Sequence, residues 1–356
     1  MDKITTTITT YRRPALLRRA IVSVLNQRYP NLEVRVFDDA SGDETAAMVS
    51  ELASQDRRVK YFCQPRNTGM MPNTAAAVNS ADSEFFTILN DDDFLLPDFF
   101  PSAIEAFQRH PDAMMFAGRL IYYEEEKPAR TLPKPSLPSG YYPAAAALAG
   151  SLGERRYHTF TSKMFRRLVV LTTGGFDENV VYAGDLDFEL LVLALHSSIF
   201  SDVPCAVYCM HAGSSSYTGY VRDHARGLKR ILDKTAVPGV FPEAVRQQVF
   251  DLLRGYASGL LFSQAITAAV RGDLELARDV AIILGRDMGA TARAAALRLA
   301  AADPPAGNLC RFGLKALRIA VRAREAVRRG ADAASYQKLV AGVLKDFNPR
   351  RGAAAA

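Results

Sequence analysis

Hydrophobic and polar positions alternate along the first 120 residues in two distinct rhythms. Ile4 to Thr10 is a β-branched run that predicts a strand. Behind Pro14, residues Leu17, Ile21, Val24 and Leu25 recur at helical spacing and predict a helix opened by that proline. Leu32, Val34 and Val36 alternate with polar neighbours, a second strand ending at Asp38-Asp39. Ser41 and Glu44 have capping-box spacing ahead of a helix with Thr45, Met48, Val49 and Leu52 on one face. Val59 to Cys63 predicts a third strand, followed by a turn at Arg66-Asn67-Thr68-Gly69 and an Ala-rich helix from about Asn73. Phe85, Phe86, Ile88 and Leu89 predict a buried central strand. Three acids follow it at once, Asp91, Asp92 and Asp93. Then come a second apolar run and Pro97, read as opening a helix with Phe100, Ala103, Ile104 and Phe107 inward. Ala113 to Tyr123 closes the series as a strand. Strands alternating with helices predict a doubly wound α/β sheet whose ligand loops line one edge.

From residue 124 the pattern breaks. Pro128, Pro133, Pro135 and Pro138 predict an irregular loop. Beyond Arg222 the rhythm is purely helical: Phe250, Leu253, Ala257 and Leu260 form one stripe. Ala265 to Ile283, with Gly272-Asp273 at its centre, predicts an antiparallel helix pair. Pro304 to Asn308 is a linker, and Arg311 to Arg329 holds seven basic residues and one acid. The expected division is an α/β domain over 1–221, an all-α C-terminal domain over 222–349, and a disordered tail over 350–356.

Hydrophobic residues are 49% of the chain, which excludes a disordered protein. No apolar run approaches the roughly 20 residues of a bilayer span, and MDKITTTITT lacks the pattern of a signal peptide. A cytoplasmic address is expected. Cys63, Cys205, Cys209 and Cys310 show no CxxC spacing and are expected as buried thiols. Charge is divided: from Arg222 onward 23 Lys and Arg face 12 Asp and Glu, while the first 221 residues hold 21 against 26. That asymmetry predicts a basic half meeting something anionic. The basic segment has few aromatics and no nucleic-acid motif, so no nucleic acid is expected as partner.

Adjacent carboxylates between two apolar runs repel one another and are costly to desolvate, so a divalent cation is the natural compensator. The alternative reading of the same acids is a polar turn, with Asp93 capping the next helix. No GxGxxG follows the first strand and no GxxxxGK[ST] occurs, so neither common phosphate-cradling loop is present.

Four elements in order carry a family resemblance: Thr10-Tyr11-Arg12-Arg13-Pro14; Asp38-Asp39-Ala40-Ser41-Gly42-Asp43-Glu44-Thr45; Arg66-Asn67-Thr68-Gly69 with Asn73; and Asn90-Asp91-Asp92-Asp93 with Pro97. Residues 4 to about 220 resemble a family 2 glycosyltransferase of GT-A fold, an inverting, nucleotide-sugar-dependent enzyme. Gly184-Asp185-Leu186-Asp187 resembles the family's ED-x-D element, with Gly184 replacing Glu, and Asn90 stands where the family often has an acid. The resemblance implies Asp185 as catalytic base. It implies Thr10, Tyr11, Arg13, Asp39, Arg66, Asn67 and Asp91 as nucleotide-binding residues. Asp92, Asp93 and His211 become the expected ligands of Mn²⁺ or Mg²⁺. A nucleotide-sugar donor, UDP-sugar first, and a glycan or lipid-linked acceptor are the implied partners. The Q/R-x-x-R-W element of processive members is missing, which favours transfer of a single sugar. The basic helix predicts peripheral attachment to an anionic membrane, its alternative being a solvated surface; a homodimer stays open. Two other classes compete with this one. A metal-dependent nucleotidyltransferase would want a Gly-rich loop after the first strand, and a non-catalytic binding module would use the basic half alone.

Overall fold

The computed structural model of the chain describes residues 1–124, 137–153, 159–211 and 221–302. In its first part β1 (Ile4–Thr10), α1 (Pro14–Leu25), β2 (Leu32–Asp38), α2 (Thr45–Gln55), β3 (Val59–Cys63), α3 (Met70–Asn79) and β4 (Phe85–Asn90) alternate as the pattern predicts. A two-residue strand, β5 (Phe94–Leu95), follows the acids, and α4 (Phe99–Arg109) and β6 (Met115–Glu124) come next. Then follow β7 (Gly140–Tyr142), α5 (Leu148–Gly153), β8 (Lys163–Arg166), α6 (Leu168–Thr173), α7 (Gly184–Leu195) and β9 (Ser198–Met210). The helical part contains α8 (Val221–Thr235), α9 (Glu243–Val270), α10 (Leu274–Arg286) and α11 (Thr291–Ala300).

One sheet of nine strands runs in the order β3-β2-β1-β4-β8-β6-β9-β5, with β7 also on β9. The pairs β1/β2, β1/β4 and β2/β3 are parallel. Register aligns their carboxyl ends: Thr9 lies opposite Asn90 and Thr10 opposite Asp38. The strand order reverses at β1, so the crevice between the ends of β1 and β4 is the topological switch point, where such sheets bind ligands. β8 enters antiparallel between β4 and β6. Its first residue therefore lies toward the carboxyl end of β4, which brings the segment before it, with Thr161, to the same edge.

β4 explains the double burial. Phe85 and Leu89 join one apolar cluster with α1, α2 and α4, while Phe86 and Ile88 join the other with α3, α6 and α7. The second cluster continues without a break into Leu228, Ile231 and Leu232 of α8 and Leu253, Ala257 and Leu261 of α9. The change of rhythm at residue 222 therefore marks a change of element type and not a break in the core.

Contacts between α8 and the sheet half are close. A Cβ at Gly227 would fall 2.1 Å from the Val181 carbonyl oxygen, so only glycine admits the approach of α8 to that loop. Beside it, Lys234 Nζ lies 2.6 Å from Asp187 Oδ2 and 2.8 Å from Asp177 Oδ2. Burial acts to raise the Asp177 pKa, but hydrogen bonds from Lys234 and Asn179 outweigh it and hold the carboxyl well below its ordinary range. The expected helix pair is α9 and α10: Gly272 takes φ +96° in the turn, and Asp273 Oδ1 accepts from Leu276 N at 3.0 Å as the N-cap.

Several local expectations are corrected. The capping box does not form: Thr45 N donates to Asp43 Oδ1 at 2.9 Å, and Ser41 is used elsewhere. Pro97 precedes α4, whose N-cap is Asp98, because β5 occupies the residues just before it. Cys205 and Cys209 are buried, but Cys63 is exposed at the end of an edge strand. The segments holding Pro128, Pro133, Pro135, Cys310, the linker, the basic run 311–329 and the tail lie outside the described residues.

Candidate active site

Thr10 ends β1 facing the turn that follows β4. Its hydroxyl donates to Asp91 Oδ2 at 2.7 Å across the switch point. Arg13 Nη1 faces Asp91 Oδ1 at 3.3 Å and Asp92 Oδ2 at 3.2 Å, joining the two carboxylates. His211 Nε2 lies 3.1 Å from the same Asp92 oxygen. Arg19, which stacks over the Phe94 ring, donates to the Asp92 carbonyl. Burial, with Asp92 adding its charge, pushes the Asp91 carboxyl up to about 6. Thr10, Arg13, Asp91, Asp92 and His211 are thus brought into one hydrogen-bonded cluster.

Asp93 is different. It is 0% exposed, and its Oδ2 accepts from Thr161 Oγ1 at 2.5 Å and Asn90 Nδ2 at 3.1 Å while Oδ1 accepts from Cys209 N at 2.9 Å. Burial foremost, then Asp92, pushes its carboxyl up to about 7. The expectation of Asp93 as a metal ligand is corrected: internal donors use both oxygens and no face reaches the crevice. It ties the acid turn to the segment before β8 and to β9, two residues before His211. It does not cap α4 either.

The β2 loop makes a second cluster. Asp39 Oδ1 accepts from Thr68 N at 2.7 Å and Thr68 Oγ1 at 2.9 Å, and Oδ2 from Gly69 N at 2.8 Å. These donors sit at the start of α3, where a negative charge is favoured. Asn67 Nδ2 donates to the Asp39 carbonyl at 3.2 Å. Asp39 therefore fixes the 66–69 loop, and Arg66 and Asn67 are exposed along its rim. Asp38 accepts from Ser41 Oγ at 2.5 Å and Tyr61 OH at 2.5 Å, and Ser41 Oγ accepts in turn from Arg12 N at 2.8 Å. Arg12 and Ala40 hold φ of +54° and +57°. For side chains other than glycine this is strain of the kind concentrated at functional loops. Tyr11, 41% exposed under the Arg12 guanidinium, faces the opening.

Asp185 lies in the first turn of α7, partly exposed, with Oδ1 accepting from Leu186 N at 2.8 Å. It is not the N-cap, which is Ala183. Tyr182 just before has φ +55°. Gly184 has a packing cause: a Cβ there would meet the Phe176 ring at 2.3 Å, and that ring is buried against Phe160. The glutamate expected from the family pattern has no room.

The reading of the sequence missed Arg19, Thr161, Thr68 and Ser41. Each acts through hydrogen bonds to residues distant in the chain or to loop atoms, contacts that only the folded loops bring within reach. Among the described residues no three His, Cys, Asp or Glu side chains form a ready-made metal cage. Asp91, Asp92 and His211 nevertheless offer oxygen-rich donors with one imidazole, a set suited to a hard divalent ion completed by phosphate oxygens.

The chain is similar to several known proteins. The family model "Glycosyl transferase family 2" matches residues 5–171. A GalNAc(5)-diNAcBac-PP-undecaprenol beta-1,3-glucosyltransferase of Campylobacter jejuni is 40% identical over 97 residues, 27% of this chain and 31% of that protein. The matches to the first three curated relatives span 31%, 39% and 12% of their lengths. Succinoglycan biosynthesis protein ExoO of Rhizobium meliloti is 27% identical over 332 residues, covering 90% of this chain and 85% of that one. Among solved structures, S. aureus TarS 1-349 in complex with UDP-GlcNAc superposes with a TM-score of 0.63 at 17% identity, covering 89% of this chain and 92% of that one. A Pyrobaculum calidifontis mannosyltransferase in complex with GDP-Man and Mn²⁺ does so at 0.51 and 17%, covering 97% and 87%. These two likenesses show the shared fold.

Proposed function

We propose that this chain, whose residues 5–171 match the family 2 glycosyltransferase model and whose fold is shared with solved glycosyltransferases, moves one sugar from a nucleoside-diphosphate sugar, UDP first, to an acceptor hydroxyl with inversion. The observation that carries the reading is the Thr10–Asp91–Arg13–Asp92–His211 cluster at the switch point between β1 and β4. Asp92 with His211, supported by Asp91, would hold Mn²⁺ or Mg²⁺; when bound, such an ion stabilises the charge of the departing diphosphate. Arg13 supplies a guanidinium for phosphate oxygens. Tyr11, the rim of the Asp39 loop, Arg66 and Asn67 border the nucleotide. Asp185 accepts the proton of the acceptor hydroxyl as that oxygen bonds to the anomeric carbon and the bond to the diphosphate breaks.

The acceptor is proposed to be a growing surface glycan, lipid-linked or polymeric. Support comes from the named products of the Campylobacter and Rhizobium relatives. Among the described residues no helix is long and apolar enough to cross a membrane. Contact with the bilayer is assigned to the cations of residues 311–329, each contributing about 1 kcal/mol near an anionic leaflet.

A thermal-shift panel of UDP, GDP, dTDP and CMP, with and without Mn²⁺, tests the donor assignment. UDP with Mn²⁺ is expected to stabilise the fold by about 2–4 kcal/mol at saturating ligand. An equal shift in EDTA would refute the metal assignment, and no shift with any nucleotide would refute the donor site.

A further inference from the structure

The position a bridging ion would take between Asp91 and Asp92 is held by a side chain of the protein. One nitrogen of Arg13 faces Asp91 Oδ1 at 3.3 Å and Asp92 Oδ2 at 3.2 Å. The two carboxylate side chains are 8% and 14% exposed, whereas that of Arg13 is 32% exposed. The acids are fixed: Thr10 holds Asp91, and His211 holds Asp92. Arg13 is the most exposed member, at the N-cap position before α1, where its side chain makes no capping hydrogen bond.

We propose that Arg13 is an exchangeable counterion that couples metal binding to diphosphate binding. In the free protein its guanidinium neutralises the acid pair. A divalent ion cannot take that place while Arg13 stays, because two cations would crowd one pair of carboxylate oxygens, with Arg19 a further cation on the Asp92 carbonyl. A diphosphate alone meets two carboxylates. When both arrive, the ion takes the carboxylates and the guanidinium passes to phosphate oxygens, where its fork makes charge-assisted bonds. Each ligand removes the obstacle to the other. That differential is what a coupling free energy between sites requires. The inference rests on the metal-and-diphosphate reading above.

The test is Mn²⁺ binding to the full chain, read from the electron paramagnetic resonance of free Mn²⁺, with and without UDP. In the wild type UDP is expected to tighten Mn²⁺ binding by about 5–150-fold, the usual range of such coupling. Arg13→Gln is expected to bind Mn²⁺ alone about tenfold more tightly and to lose most of the coupling, within the same range. Arg13→Lys, a point charge without the fork, should fall between the two. Circular dichroism establishes that each variant is folded; if Arg13→Gln is not, Arg13→Lys decides. Unchanged Mn²⁺ affinity in the variants, with the wild type still binding Mn²⁺ and UDP together, overturns the exchange. A wild type that takes up no Mn²⁺ even with UDP overturns the metal reading beneath it.

Discussion

Replacing Lys234 by Met keeps the length of the side chain and removes its ammonium from between two acids. Asp187 is 1% exposed, and its Oδ1 has no hydrogen-bond partner among the described residues, so Lys234 is the cation that offsets its buried charge. Even with Lys234 in place, burial keeps the Asp187 carboxyl above its ordinary pKa. Without it the fold has two routes. A buried carboxylate left ionised beside its lost partner costs about 3–5 kcal/mol. Taking up a proton instead costs about 4 kcal/mol at pH 7 for a group that ionises near 3.9 in the unfolded chain, and about 1.5 kcal/mol at pH 5. The two routes agree at neutral pH and separate in acid. The sign follows from the raised folded pKa: the unfolded chain releases the proton first, so stability of the variant falls as pH rises from about 4 to 7. Asp177 retains Arg230 at 3.0 Å and two hydrogen bonds from Asn179 after Lys234 is removed, so its charge keeps partners in the variant. Urea unfolding of wild type and Lys234→Met at pH 5 and pH 7 measures the difference. A loss of about 3–4 kcal/mol at pH 7, roughly halved or better at pH 5, is expected. A loss below about 1 kcal/mol, or one independent of pH, would refute the reasoning. Asp187→Asn combined with Lys234→Met should recover much of the neutral-pH stability.

Other expectations follow from the same contacts. Asp185→Asn should fold and bind nucleotide but lose transfer by about 10² or more; near-normal turnover would move the base elsewhere, Asp187 being excluded by its buried pairing with Lys234. Asp92→Asn should chiefly weaken Mn²⁺-dependent nucleotide binding, and calorimetry that finds it unchanged would remove Asp92 from the ion. Gly184→Ala should destabilise by about 1–3 kcal/mol, because its methyl group would displace the Phe176 ring; a neutral effect on the urea midpoint would show that the ring moves freely. Truncation after Pro305 should leave donor hydrolysis intact and abolish co-sedimentation with anionic liposomes at low salt, and full-length protein that fails to bind them would assign the basic run to a solvated surface.

The parallel half of the sheet was legible because β1 and β4 carry β-branched or aromatic runs and β2 alternates apolar with polar residues, each separated by helical periods. β5 was not, since two residues hold no period, and β9 was obscured by Ser201-Asp202-Val203-Pro204 in its middle. The acids were conspicuous as a triplet, but their division of labour was not. Asp92 turns outward and Asp93 inward because Thr161, Asn90 and the Cys209 amide converge on only one of them, and two of those donors come from distant segments. Asp39 read as a nucleotide contact from its place in a motif; its three bonds to Thr68 and Gly69 were invisible until the start of α3 was placed. The boundary near residue 222 was read from a change in period, which reports element type and says nothing of whether two cores are one.

The seat of α8 on the loop before α7 constrains how this chain can diversify. Gly227 lies on the Val181 carbonyl, and Lys234 is shared by Asp177 and Asp187, so the helix and the loop must change together or not at all. A chimera that exchanged everything after residue 220 for the tail of a relative would need a glycine and a cation at these two places in register. Without them it would pry the segment carrying Asp185 away from the sheet. Swapping whole modules is therefore a poor route to new acceptors for this scaffold. Single substitutions on the exposed rim, at Tyr11, Arg66 and Asn67, leave that joint untouched, so the proposed nucleotide contacts can vary independently of it.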